Sequence, residues 1–82
     1  MWTVYIVRCV DSSLYTGIAK NVEERINLHN AGRGAKYTRS RRPVELVYSE
    51  AVPSRATALR RELAIKQLER DDKKRLIESY AD

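Results

Sequence analysis

The chain has 82 residues, of which 16 are Lys or Arg and 11 Asp or Glu, giving a formal net charge of +5. That length holds one small domain, taken as residues 1–82, and a domain of this size hides only about 60% of its unfolded surface. The composition, 43% hydrophobic and 33% charged, is that of a globular chain and excludes disordered and membranous classes, and the lone Cys9 and lone His29 exclude an internal disulfide and a structural zinc site.

Met1 runs straight into "WTVYIVRCV" without a basic leader and cleavage site, and no apolar run is long enough for a bilayer, so a cytoplasmic location without membrane contact is expected. This segment is β-branched and aromatic, with apolar residues on both parities, and predicts a central strand covered on both faces. "DSS" then supplies turn residues and "LYTGIA" a second strand. The simplest hairpin has a three-residue loop, which sets Tyr15 opposite Cys9, Gly17 opposite Val7 and Ala19 opposite Tyr5. Tyr5, Tyr15 and Gly17 then share a face, with a gap at Gly17 where a ligand backbone would come close.

Asn21, with Glu24 three residues on, is a capping-box pattern, and Gly32 suits the position just past a helix, so a helix is expected over about 22–31. Its apolar arc is odd. With Val22 at zero, Ile26 falls near 40° and Leu28 near 240°, while Arg25 and His29 fall at roughly 300° and 340°, inside the arc that ought to bury itself. After it, "GRGAKYTRSRR" holds five cations and no acid, with Tyr37 interleaved. A loop of Arg33, Lys36, Tyr37, Arg39, Arg41 and Arg42 suits phosphate contact with a stacking aromatic; the plainer reading is a solvated basic loop.

"PVELVYSEA" predicts a third strand over about 44–51, and Pro53 and Ser54 open a helix over "RATALRRELAIKQLER", followed after a break near 70–72 by a helix over "DDKKRLIESY". The order ββαβαα predicts an α+β fold, a small three-stranded antiparallel sheet flanked by helices. The second helix repeats the oddity of the first: with Leu59 at zero, Glu62 and Lys66 fall at roughly 300° and 340°, again inside the apolar arc. A structural ion pair of Glu62 with Lys66 or Arg25 would account for either helix alone. Both arcs together, beside a tyrosine-bearing sheet face, point to a site. One carboxylate, one guanidinium, one imidazole, one ammonium and two phenols, without a nucleophilic Ser or Cys arrangement, suit phosphodiester hydrolysis with a hard cation. Cys9 reads as core.

The same residues carry a resemblance. "VYIV", then "YTG" ten residues on, then the Arg and His of "ERINLHN", then a Glu in a later helix, resemble the GIY-YIG nuclease superfamily. The whole chain is similar to its small stand-alone bacterial members, and "PSRATALRRE" resembles the matching helix of the structure-specific endonucleases. The resemblance implies that Tyr5 helps activate the attacking water with Tyr15 and His29 in support, that Arg25 holds the scissile phosphate, and that Glu62 ligates a single Mg²⁺ (or Mn²⁺). Gly17 is the glycine of the second motif. Either Tyr5 or His29 serves as base. "TVY" replaces Gly-Ile-Tyr, and no Asn follows Asn30, whereas some family nucleases carry one beyond the metal Glu. The function expected is a metal-dependent endonuclease on nucleic acid, DNA favoured and RNA next, bound through the basic loop and through Arg55, Arg60 and Arg61. The alternatives are a non-catalytic nucleic-acid-binding module on the same fold and an adaptor for a protein partner.

Overall fold

The computed structural model describes residues 1–81. Its strands and helices run β1 (Trp2–Arg8), β2 (Leu14–Ala19), α1 (Val22–Asn30), α2 (Lys36–Arg39), β3 (Glu45–Val52), α3 (Arg55–Lys66) and α4 (Arg70–Ala81). The sheet is antiparallel in the order β2-β1-β3, so β1 is central, as its apolar residues on both parities require. Val4 and Ile6 face one way, into a core with Tyr48, Val52, Ala58, Ile65 and Ile77. Tyr5, Val7 and Cys9 face the other, with Ala19 and Val44, under Val22 and Ile26 of α1. No described helix is long and apolar enough to cross a membrane.

The hairpin register differs from the expected one by two residues. Tyr5 pairs with Gly17 and Val7 with Tyr15, because five residues, Cys9–Ser13, make the connection. Cys9 N–H donates to the Ser13 carbonyl at 2.8 Å and Ser12 N–H to the Cys9 carbonyl at 2.9 Å. Ser12 takes φ 69°, and the Asp11 carboxylate accepts from Ser13 N–H at 3.0 Å. A slip of two keeps every side chain on its face, so the shared face of Tyr5, Tyr15 and Gly17 survives the error. The expected gap at Gly17 does not. A Cβ there would collide with the Tyr5 hydroxyl and ring: the tyrosine itself lies across the glycine and fills the space.

The Asn21 side chain caps α1 by accepting from Glu24 N–H at 3.0 Å. At the far end Gly32 has φ +79°, and its N–H donates to the His29 carbonyl while Arg33 N–H donates to Leu28, the paired bonds of a Schellman ending. Ser54 caps α3 through Thr57 N–H. α3 stops at Lys66 and α4 begins at Arg70, so the break falls at 67–69, three residues before the expected position. The basic loop, expected to be irregular, contains the single helical turn α2.

Candidate active site

Tyr5 on β1, His29 at the end of α1 and Thr38 on α2 form one buried line. The Tyr5 hydroxyl lies 2.8 Å from His29 Nε2, and His29 Nδ1 lies 2.8 Å from Thr38 Oγ1. All three side chains are essentially inaccessible, at 1%, 1% and 0% exposure. Thr38 Oγ1 donates its one proton to the Ala35 carbonyl at 2.9 Å, so it accepts from Nδ1–H. Nε2 is then a bare acceptor, and the Tyr5 hydroxyl donates to it. The Ala35 N–H also points at Nδ1, from 3.4 Å, which suits the opposite tautomer; the two shorter bonds outweigh one long contact.

Two glycines make room for this line. Gly17 lets the Tyr5 ring lie across β2, the edge strand, and Gly34 stands where any Cβ would overlap the His29 ring. Tyr15 completes the enclosure, its ring edge-on to His29 with centroids 5.5 Å apart. His29 is the one buried residue of α1, while Arg25 one turn earlier is exposed. The arc therefore splits. Its imidazole is sealed under two tyrosines and α2 instead of lining an open cleft, and only the guanidinium reaches solvent.

Electrostatics tie Arg25 and Glu62 to the same oxygen. Burial raises the Tyr5 pKa well above the ordinary phenol value, the neighbouring Tyr15 adds to the rise, Arg25 opposes it and Glu62 adds to it. His29 is held below the usual imidazole value by burial and by Arg25. Glu62 is half-buried on α3, which packs against β2 and β1. Its Oε2 lies 3.3 Å from Lys66 Nζ, the structural pair anticipated above, and Oε1 has no charged partner among the described residues.

No group of three or more His, Cys, Asp or Glu side chains gathers among the described residues. A cation at Glu62 would thus take one protein carboxylate and fill its remaining positions with water and phosphate oxygens. That donor set fits Mg²⁺ or Mn²⁺, hard ions that accept a single carboxylate and keep their waters.

The expected phosphate contacts divide into held and open side chains. Arg41 Nε donates to Asp11 at 3.1 Å and Arg41 Nη1 to the Tyr37 carbonyl at 2.8 Å, and its guanidinium lies 4.0 Å from the Tyr37 ring centroid. Tyr37 also stacks on Tyr15, with centroids 5.9 Å apart, so this ring is already engaged. Arg42 donates to the carbonyls of Arg39 and Asn30, and Arg61 is bonded to Glu50 across to β3. Arg55 lies over the Trp2 ring. Arg33, Lys36, Arg39 and Arg60 are exposed and have no ion-pair partner among the described residues; Arg60 points about 160° around α3 from Glu62.

Sequence reasoning passed over Thr38, Gly34 and Asn30. Thr38 and Gly34 hide in a stretch whose charge dominates the eye. Asn30 bonds both backbone groups of Val44, accepting from its N–H at 2.7 Å and donating to its carbonyl at 3.1 Å, and so fastens the end of α1 to the start of β3. The one signal within reach was small and polar residues at 34, 35 and 38 amid cations.

A family model described as the GIY-YIG catalytic domain matches residues 1–75. A UPF0213 protein of Staphylococcus haemolyticus is 59% identical over 75 residues, 92% of each chain, and one from Staphylococcus saprophyticus is 55% identical over 74 residues, 90% of each. The solution NMR structure of a UPF0213 protein from Bacillus halodurans matches with a TM-score of 0.61 at 46% identity, covering 95% of this chain and 84% of that one. A protein from E. faecalis, also solved by NMR, matches with a TM-score of 0.63 at 37% identity, covering 96% and 84%. With the catalytic-domain model matched from residue 1 to 75 and near-full-length relatives sharing more than half their residues, the chain belongs to the GIY-YIG family, a nuclease superfamily.

Proposed function

We propose that the chain is a divalent-metal-dependent endonuclease that hydrolyses phosphodiester bonds in nucleic acid, DNA in preference to RNA, with low sequence specificity. The observation that carries this reading is the buried Tyr5–His29–Thr38 line with Arg25 and Glu62 in electrostatic reach of its phenol. A core tyrosine needs one partner for its hydroxyl. This one is given an acceptor whose tautomer is fixed from behind, and among the described residues no donor engages its oxygen.

That arrangement supports His29 as the group that takes the proton. Burial disfavours a Tyr5 phenolate; burial and Arg25 also disfavour an imidazolium at His29, and a phosphate bound at Arg25 offsets that second cost by neutralising the guanidinium. The Tyr5 oxygen accepts a proton from the attacking water as its own hydroxyl proton passes to His29 Nε2, and Thr38 Oγ1 accepts from Nδ1–H throughout. Arg25, exposed and in electrostatic reach of this oxygen, binds the scissile phosphate and offsets the charge that grows on it. Glu62 would hold a divalent ion, which would supply charge stabilisation for the departing group. Arg33, Lys36 and Arg39 bind flanking phosphates.

Cleavage of a DNA panel with Mg²⁺, with chelator, and with Glu62→Gln tests the reading. Gln keeps the shape of Glu and removes the charge a hard cation needs. Loss of metal-dependent cleavage with unchanged binding and melting temperature supports the assignment. A stable Glu62→Gln protein that cuts at the wild-type rate overturns it, and a wild-type protein that binds but never cuts favours the binding-module alternative.

A further inference from the structure

On the other face of the sheet from His29, a cavity lies between the end of β1, the hairpin turn and α4. It is lined by Arg8, Ser12, Arg70, Lys74, Ile77 and Glu78. Three cations from two elements thus face one carboxylate over an apolar floor. Arg70 and Lys74 are one turn apart on α4, a like-charge pair that is unfavourable to a helix in isolation. Neither has an ion-pair partner among the described residues; the acids of the first turn are used elsewhere or lie outside the lining, Asp72 pairing with Arg75 at 3.4 Å. Arg8 meets Glu45 at 3.3 Å, an exposed pair of the kind that contributes little and exchanges readily.

We infer that this groove is a binding site for a phosphate group. Its cations line one groove, Arg70 and Lys74 are without an ion-pair partner among the described residues, and its hydroxyl at Ser12 is a donor. The groove also adjoins the basic loop. The hairpin turn that forms its rim is fastened to that loop, Val10 N–H donating to the Arg41 carbonyl at 3.0 Å and Asp11 pairing with Arg41. The turn thus joins the groove of Arg70 and Lys74 to the segment that carries Lys36 and Arg39. A nucleic-acid strand held at the loop would have to cross the turn to place a phosphate in the groove. The phosphate site stands apart from the nuclease reading; only a strand as the source of the phosphate rests on it.

The test uses ¹⁵N-labelled full chain titrated with inorganic phosphate and, separately, with a short oligonucleotide at several salt concentrations. The double variant Arg70→Gln/Lys74→Gln is compared with Arg75→Gln, which removes charge from α4 outside the groove. Phosphate should shift the amides around Ser12, Arg70 and Lys74 in wild type and not in the double variant. If the source is a strand, the slope of log affinity against log salt should fall in magnitude by about 0.7–0.9 for each phosphate that the double variant no longer neutralises, and not with Arg75→Gln. Phosphate shifts with an unchanged oligonucleotide slope keep the site and assign it to a free phosphate compound. An equal slope change with Arg75→Gln overturns the strand as the source, and an absence of phosphate shifts at the groove overturns the site. Cleavage is not among the readouts, so an inactive Mg²⁺ protein leaves this test intact.

Discussion

At the scale of single residues, the site depends on side chains that do no chemistry themselves. Thr38 fixes the proton on His29 Nδ1 and thereby makes Nε2 the acceptor for Tyr5. Thr38→Val keeps the shape and strips the hydroxyl, leaving a buried ring N–H without a good acceptor at a cost of about 1–3 kcal/mol. Thr38→Ser should restore most of the stability, measured by urea denaturation, and most of the cleavage rate. A Val variant as stable and active as the Ser variant would show that Thr38 positions nothing. Gly34→Ala tests the same imidazole by crowding: its Cβ overlaps the His29 ring, and the shift this forces should cost about 1–3 kcal/mol and disturb the Tyr5 contact, seen as a changed His29 NMR signal.

Elements were legible where pattern and chemistry agreed. Alternation and β-branching disclosed the strands, and Asn21, Gly32 and Ser54 disclosed helix ends, because those residues satisfy backbone groups locally. The polar pairs Arg25/His29 and Glu62/Lys66 stood out because they broke the apolar arc. The hairpin loop length did not show in "DSS", since it depends on Ser12 entering positive φ and on long-range bonds from Arg41. α2 was hidden because one turn has too few residues for periodicity, and its fixing bond runs to His29, nine residues back. The same blindness merged all five loop cations into one surface. Arg41 belongs to the hairpin clip, so Arg41→Gln should destabilise by about 1 kcal/mol, from an exposed pair and a cation–π contact, with the salt slope of binding unchanged. Arg39→Gln should do the reverse, leaving stability within about 0.5 kcal/mol and lowering the slope by about 0.7–0.9. The opposite pattern in paired melts and salt titrations would return Arg41 to the binding surface.

At the scale of the whole molecule, the sheet separates an aliphatic core beneath α3 and α4 from a polar-threaded core beneath α1, and the second makes folding sensitive to acid. His29 is the one histidine of the chain. It is packed between Tyr5, Tyr15 and Thr38 with Arg25 nearby, and its pKa is lowered from 6.5 by burial and then by Arg25. In the unfolded chain the imidazole titrates near that ordinary value, so between it and the lower folded value the unfolded state binds a proton that the folded state refuses. The stability associated with neutral His29 is therefore complete above about pH 6.5 and is lost as pH falls toward the folded pKa. Asp11, held low by Ser13 and Arg41, acts in the same direction but only below its ordinary value of 3.8, whereas the loss at His29 begins at its ordinary value of 6.5. Urea melts should show a midpoint that is flat from about pH 8 to 6.5 and then declines through pH 5, and in His29→Gln, whatever its absolute stability, that decline should be absent. NMR titration of the single imidazole gives the folded pKa directly: a value at or above 6.5, or a His29→Gln protein that still weakens between pH 6.5 and 5, would place the acid sensitivity elsewhere and remove the support for a buried, neutral His29 as the proton acceptor behind Tyr5.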